Sequence, residues 1–98
     1  MNIGDRVGAV QSIKESVMYL FGYGVFEGDQ VPHTNDVKFF GLSLKEYNRK
    51  NPCILLDSGE RIYGCECWRG TEKEIKEYEE ECREVIIVTP EEHRKLDE

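Results

Sequence analysis

Cys53-Ile54-Leu55-Leu56-Asp57-Ser58-Gly59-Glu60-Arg61-Ile62-Tyr63-Gly64-Cys65-Glu66-Cys67-Trp68 reads as a β-hairpin, and the fold follows from that reading. Two short apolar runs flank Asp57-Ser58-Gly59-Glu60, where the aspartate can hydrogen-bond its own following backbone and the glycine can take the positive φ of a tight return. The second arm holds half of the cysteines and the only tryptophan. As an extended strand it sends Cys65 and Cys67 to one face and Gly64, Glu66 and Trp68 to the other.

Upstream of the hairpin, strands dominate. Val7-Gly8-Ala9-Val10 alternates after a Gly4-Asp5 turn, and Lys14-Glu15-Ser16 is a polar connection. Val17 to Phe26 is a long aromatic run ending at Glu27-Gly28-Asp29. Simple alternation places Val17, Tyr19, Phe21, Tyr23 and Val25 on one face and Met18, Leu20 and Phe26 on the other. Gly22 and Gly24 leave a strip without side chains, which suits a sharp bend of the sheet, with a ligand groove as the alternative. Gln30 to Asp36, with Pro32 and His33, carries loop chemistry, and Val37 to Gly41 is either a short strand or an apolar plug. Ser43-Leu44-Lys45-Glu46 is a capping box, predicting a helix of at most two turns before Asn51-Pro52.

Downstream, Thr71-Glu72-Lys73-Glu74 is a second capping box, followed by Ile75, Tyr78 and Cys82 on one stripe. This predicts an amphipathic helix over 72–83, with Glu84 to Val88 returning as a final strand. Thr89-Pro90 can cap one last turn, so 89–98 is expected as a short helical turn or a frayed tail, with fraying from His93 on.

The 98 residues fit a single domain. No apolar run approaches the roughly 20 residues of a membrane-spanning helix, and the start lacks the pattern of a secretory signal, so the expected setting is cytoplasmic with no membrane partner. The net charge of −7 is unevenly placed: residues 72–98 hold eleven acidic and five basic side chains, the rest nine and eight. Such an acidic surface disfavours duplex nucleic acid, whose affinity rests on phosphate contacts.

Four cysteines raise the question of zinc. Structural sites usually draw ligands in pairs two to four residues apart on a tight knuckle, so Cys65-Glu66-Cys67 on a strand argues for core thiols, with no metal and no cofactor expected. A reactive cysteine needs an activating base, and neither His33 nor His93 is placed by any motif to supply it. Glu27, Asp29 and Glu66 lack the companion motif of a hydrolase, and no phosphate loop, dinucleotide fingerprint or nucleophile elbow is present. The chain offers no sign of an enzyme. There remain the aromatic and arginine side chains Tyr19, Tyr23, Tyr63, Trp68, Arg61 and Arg69, with Lys45, Arg49 and Lys50 nearby, as an expected binding patch; the alternative is that the rings cap a thin core.

The opening Gly4-Asp5-Arg6-Val7 resembles the first strand of SH3-like small barrels, many of which begin Gly-Asp-x-Val. Tyr23-Gly24-Val25-Phe26-Glu27-Gly28-Asp29 together with Tyr63-Gly64-Cys65-Glu66-Cys67-Trp68 is similar to a pattern in small, mostly uncharacterised bacterial and phage proteins, although Arg69 stands where those proteins tend to carry a second aromatic. The resemblance implies a fold and transfers no activity. The expectation is therefore an α+β domain, an SH3-like, strongly bent antiparallel β-barrel with one amphipathic helix before its last strand. As to function, it is a non-catalytic module, of the kind a phage or mobile element carries as an accessory or anti-defence protein, binding a protein or small ligand. The alternative is a nucleotide or single-stranded nucleic-acid binder using the same rings and arginines. The acidic helix also admits a variant in which its carboxylates mimic nucleic acid toward a basic partner.

Overall fold

The computed structural model describes residues 1–96; the tail expected to reach residue 98 lies partly outside them. The chain runs β1 (Arg6–Lys14), β2 (Val17–Gln30), β3 (Lys38–Phe39), β4 (Leu42–Ser43), β5 (Asn51–Leu56), β6 (Arg61–Tyr63), a 3-10 turn (Gly64–Glu66), β7 (Trp68–Thr71), α1 (Glu72–Glu81), β8 (Glu84–Ile87) and α2 (Pro90–Lys95). It is a small α+β fold whose main sheet has the order β6-β5-β2-β1-β7, with β8 added to β2 and β3-β4 forming a separate hairpin. All pairings are antiparallel except β8 on β2. The ladder is not closed into a barrel among the described residues.

β2 is the axis. Its first part, Val17 to Leu20, pairs with β8, and its later part, Gly24 to Gln30, with β5, while β1 runs along the opposite edge. A strand with such different neighbours must bend, and its glycines sit where it does. Gly22 has φ +137 beside a register shift, and a Cβ on Gly24 would stand 2.1 Å from the Leu55 carbonyl oxygen. The bare strip is thus filled by the β5 backbone, the close approach that glycine permits.

The bulge corrects the simple two-face reading of β2. Ala9 faces Gly22 but Val10 faces Leu20, so Phe21 is the extra residue and the alternation changes phase across it. Phe21 packs with Val7, Ala9, Ile54, Leu56 and Ile62, whereas Met18 and Leu20 pack with Val10 and Ile75, and Tyr23 joins that second group. α1 covers the second group. Gly8 lets it in: a Cβ there would lie 2.7 Å from Ile75.

The β5-β6 hairpin forms as expected, with Gly59 at φ +94 and its N–H donating to the Leu56 carbonyl at 2.8 Å. Its second arm, however, is cut short. Instead of extending to Trp68, the chain makes a 3-10 turn at Gly64–Glu66, because polar partners from elsewhere hold it. The Glu66 carboxylate accepts the Tyr63 N–H at 3.1 Å, Asn51 Oδ1 accepts the Cys65 N–H at 2.7 Å, and Arg94 donates from Nε and Nη2 to Glu66 at 2.8 and 2.9 Å. Cys65 and Cys67 consequently do not share a face: Cys65 packs beside Val37, Leu44, Cys53 and Tyr63, and Cys67 beside the Val7–Phe21 group.

α1 starts at the expected cap, with Thr71 Oγ1 accepting the Glu74 N–H at 3.1 Å, and ends at Glu81, two residues before the expected Arg83. The helix predicted after Ser43 is absent. Ser43 Oγ does accept the Glu46 N–H at 3.2 Å, but the chain only turns, and Asn48 at φ +53 ends it. α2 runs beyond His93, where fraying was expected, because the sheet holds it: the His93 ring stands edge-on to Phe21 at 5.4 Å and Arg94 also donates to the Arg61 carbonyl at 2.9 Å. Among the described residues no helix is long and apolar enough to cross a membrane.

Candidate functional site

The six aromatic and arginine residues picked from the sequence fall in four places. Tyr23 and Trp68 lie on the α1 side: the Tyr23 hydroxyl donates to Glu79 at 2.5 Å with Lys76 over its ring, and Trp68 meets Tyr78 edge-on at 5.3 Å. Burial and the Glu79 carboxylate together push the Tyr23 phenol well above its ordinary range. Tyr63 and Arg61 border a polar cavity of about 200 Å³ with His33, Thr34 and Arg94. Tyr63 is a core residue, 1% exposed, its phenol pushed up to about 12 chiefly by burial. Arg61 is paired with Glu27 at 2.8 Å and holds that carboxyl below its usual range. Arg69 lines an open depression of about 640 Å³ with Met1, Ile3, Phe26 and Pro52, and Tyr19 stands half-buried opposite Ser12 and Ile86. No one surface gathers all six.

The thiols are built for packing. All four cysteines are free. Burial, helped by Glu27, pushes Cys53 up to about 11; burial, helped by Glu66, pushes Cys65 up to about 11; and burial pushes Cys67 up to about 12. Each shift lowers the thiolate fraction that nucleophilic or metal chemistry requires. Among the described residues no group of three or more His, Cys, Asp or Glu side chains is placed to hold a metal ion.

A cluster of uncovered apolar side chains lies elsewhere, on the unit formed by β3, β4 and the turns after them. Val37 and Leu44 anchor it against Cys53 and Tyr63. Beyond those anchors Phe39, Phe40, Leu42 and Tyr47 are 52, 88, 53 and 57% exposed. The Phe39 and Phe40 rings touch each other, tilted, with centroids 4.4 Å apart. Between β4 and the following turns a groove of about 390 Å³ is lined by Phe39, Leu42, Leu44 and Tyr47, with Arg49 and Lys50 along it. Lys38, Lys45, Arg49 and Lys50 are all exposed, and Glu46 is the only acid between residues 38 and 50. In a chain of net charge −7 this is a basic island around an apolar tip.

The sequence reading named the basic residues and left the phenylalanines as a strand or a plug. The signal for the tip is Phe39-Phe40-Gly41-Leu42, where glycine can take the second central position of a two-residue hairpin and a phenylalanine is thereby lifted to its apex. No protein-family model, no curated protein sequence and no solved structure matches the chain.

Proposed function

We propose that this chain is a non-catalytic binding module that engages an anionic partner through the 38–50 unit. The carrying observation is the exposure of Phe39, Phe40 and Leu42 at one hairpin, with Lys38 on the same hairpin and Arg49 and Lys50 along the groove that Phe39 and Leu42 line. Apolar groups and cations so combined give contact area and a preference for negative charge in one place. The raised thiol pKa values support the non-catalytic part. The passage of β6 through a 3-10 turn into β7, from one end of the ladder to the other, supports describing the bent sheet as an SH3-like barrel. The resemblance carried by Tyr23–Asp29 and Tyr63–Trp68 supports a place among phage and mobile-element accessory proteins.

Gentle purification of the chain from its source cells tests the reading. Companions recovered with the wild type are expected to be lost from a Phe39→Ser, Phe40→Ser variant; an identical set of companions from both proteins would refute it. The groove between Phe39 and Tyr47, with Arg49 and Lys50 beside it, favours a second reading, single-stranded nucleic acid stacked on those rings. That reading expects salt-sensitive binding of an oligothymidine, lost in Tyr47→Ala and Arg49→Ala, and it falls if no binding occurs at low salt.

A further inference from the structure

We infer that the Phe40 tip is an insertion device for an anionic lipid surface, which deepens the binding-module reading and rests on it. Phe39 and Leu42 are paired across a two-residue hairpin whose central residues, Phe40 and Gly41, have φ +51 and +79. Positive φ at both positions is the geometry of a turn that matches strand twist, and asparagine, aspartate or glycine adopts it at ease. A phenylalanine there is an outlier, held against its own backbone preference. Its side chain, 88% exposed, gains little from the fold beyond the Phe39 ring, and a Cβ added at Gly41 would meet nothing within 4 Å. Backbone conformation and side-chain exposure are thus both unfavourable at one residue, and both become useful if the ring enters an apolar phase.

The shape and chemistry favour lipid over the other anionic partners. Phe40 is 88% exposed and free to insert, above a hollow of about 400 Å³ lined by Lys38, Phe39, Phe40, Gly41 and Cys65. Leu42 stands beside the two rings, and an aliphatic chain suits an acyl region while adding nothing to base stacking. The cations around the tip are where anionic headgroups would lie, each worth a modest attraction that salt screens. The acidic helix sits apart from this contact: α1 packs on β1 and β7, while the tip unit is anchored on Cys53 of β5 and Tyr63 of β6, and the two clusters share no residue. The expectation of no membrane partner rested on the absence of a long apolar run, a signal to which a four-residue hairpin is invisible.

Co-sedimentation of the full chain with vesicles tests the inference, using phosphatidylcholine alone and equal parts of phosphatidylcholine and phosphatidylserine. Wild type is expected to sediment with the mixed vesicles, less so at high salt, and to stay in solution with phosphatidylcholine alone. Phe40→Asn is the decisive variant, since asparagine suits the turn and the protein stays folded; it is expected to weaken vesicle binding by at least about tenfold, the loss that follows from removing one buried aromatic ring. Lys45→Glu with Lys50→Glu should weaken it as well. Failure to sediment with mixed vesicles at low salt, or equal sedimentation of Phe40→Asn, would overturn the inference. If vesicles fail but companions from source cells still depend on Phe39 and Phe40, the lipid assignment falls and the binding module stands; if that dependence is also missing, both fall. Oligothymidine binding that Phe40→Asn abolishes, without vesicle binding, would reassign the tip to nucleic acid.

Discussion

Two hairpin turns in this molecule share positive φ at both central residues and have opposite circumstances. Lys14 pairs with Val17 across Glu15-Ser16, and Phe39 pairs with Leu42 across Phe40-Gly41; the four central residues all have positive φ, from +51 to +79. The first turn is polar and tied to the fold, because the Arg83 N–H donates to the Ser16 carbonyl at 2.9 Å and Arg83 Nε to the Glu15 carbonyl at 3.3 Å. The second is apolar at its apex and has no such tie among the described residues. The contrast teaches that backbone strain by itself does not mark a site. At Glu15-Ser16 the fold supplies the compensation, whereas at Phe40 it does not, so the compensation has to be sought outside the chain.

The comparison is sharpest if strain and burial are offset internally everywhere except at the tip, and the largest test of that is Arg94. Glu66 and Arg94 have side chains only 4 and 17% exposed, and their pairing joins α2 to the 3-10 turn. Arg94→Ala leaves a buried carboxylate without its partner and is expected to cost about 3–5 kcal/mol in denaturant unfolding, against a typical domain stability of about 5–15 kcal/mol. A loss below about 1 kcal/mol would mean that the pair is not an internal staple.

Next comes Gly24→Ala. The new methyl would meet the Leu55 carbonyl and the Leu56 Cα, so β5 must shift along β2. The expected cost lies at or above the upper end of the usual overpacking range of about 1–3 kcal/mol, read as a drop in thermal midpoint. An unchanged midpoint would show that the two strands have slack there.

Phe40→Asn goes the other way. Replacing a phenylalanine by a residue suited to positive φ should raise stability by about 1 kcal/mol while removing partner binding. A destabilised Phe40→Asn would break the comparison, because it would mean that the ring serves the fold. Exchanging Glu15-Ser16 for Asn-Gly relieves the same kind of strain and should stabilise by about 0.5 kcal/mol, with vesicle and companion binding untouched; loss of binding there would erase the distinction between the turns.

The last effect concerns acid. Arg61 holds Glu27 below its usual carboxylate range, so the folded state binds that proton less readily than the unfolded chain. The contribution is present above the unfolded value of about 4.3 and is lost as pH falls through the depressed folded one. Since both side chains are partly exposed, the loss is expected to be about 1 kcal/mol or less. Denaturant unfolding between pH 6 and pH 3, roughly the window around that carboxylate value, should become flatter by that amount in Arg61→Ala, and an unaltered profile would remove the pair from the set of internal compensations.

Much of the fold was legible because its causes are local. The Thr71 cap and the stripe through Ile75 located α1, Asp57 and Gly59 located the hairpin return, and the β-branched run at Val85–Val88 located β8. The misreadings came where a distant group acts. Glu66 was read as one residue of a strand, but Arg94, 28 positions later, and Asn51 draw that stretch into a 3-10 turn and send Cys65 and Cys67 to different clusters. The same holds for Phe21 and Tyr23, which alternation put together and one bulged residue put apart.

By itself, then, the sequence determined the elements: period, caps and turn residues act within a few positions and set backbone conformation whatever lies across the fold. It also determined that four cysteines and ten aromatics had to be accommodated by a chain of this size. Only the tertiary structure decided which of them are covered. Tyr63 is buried because Val37 and Leu44 fold over it, and Phe40 is 88% exposed at the apex of its hairpin. Exposure depends on the arrival of distant segments, which no local pattern encodes, and for that reason the rings and arginines expected to form one patch are spread over four places, while Phe39, Phe40 and Leu42 stand bare.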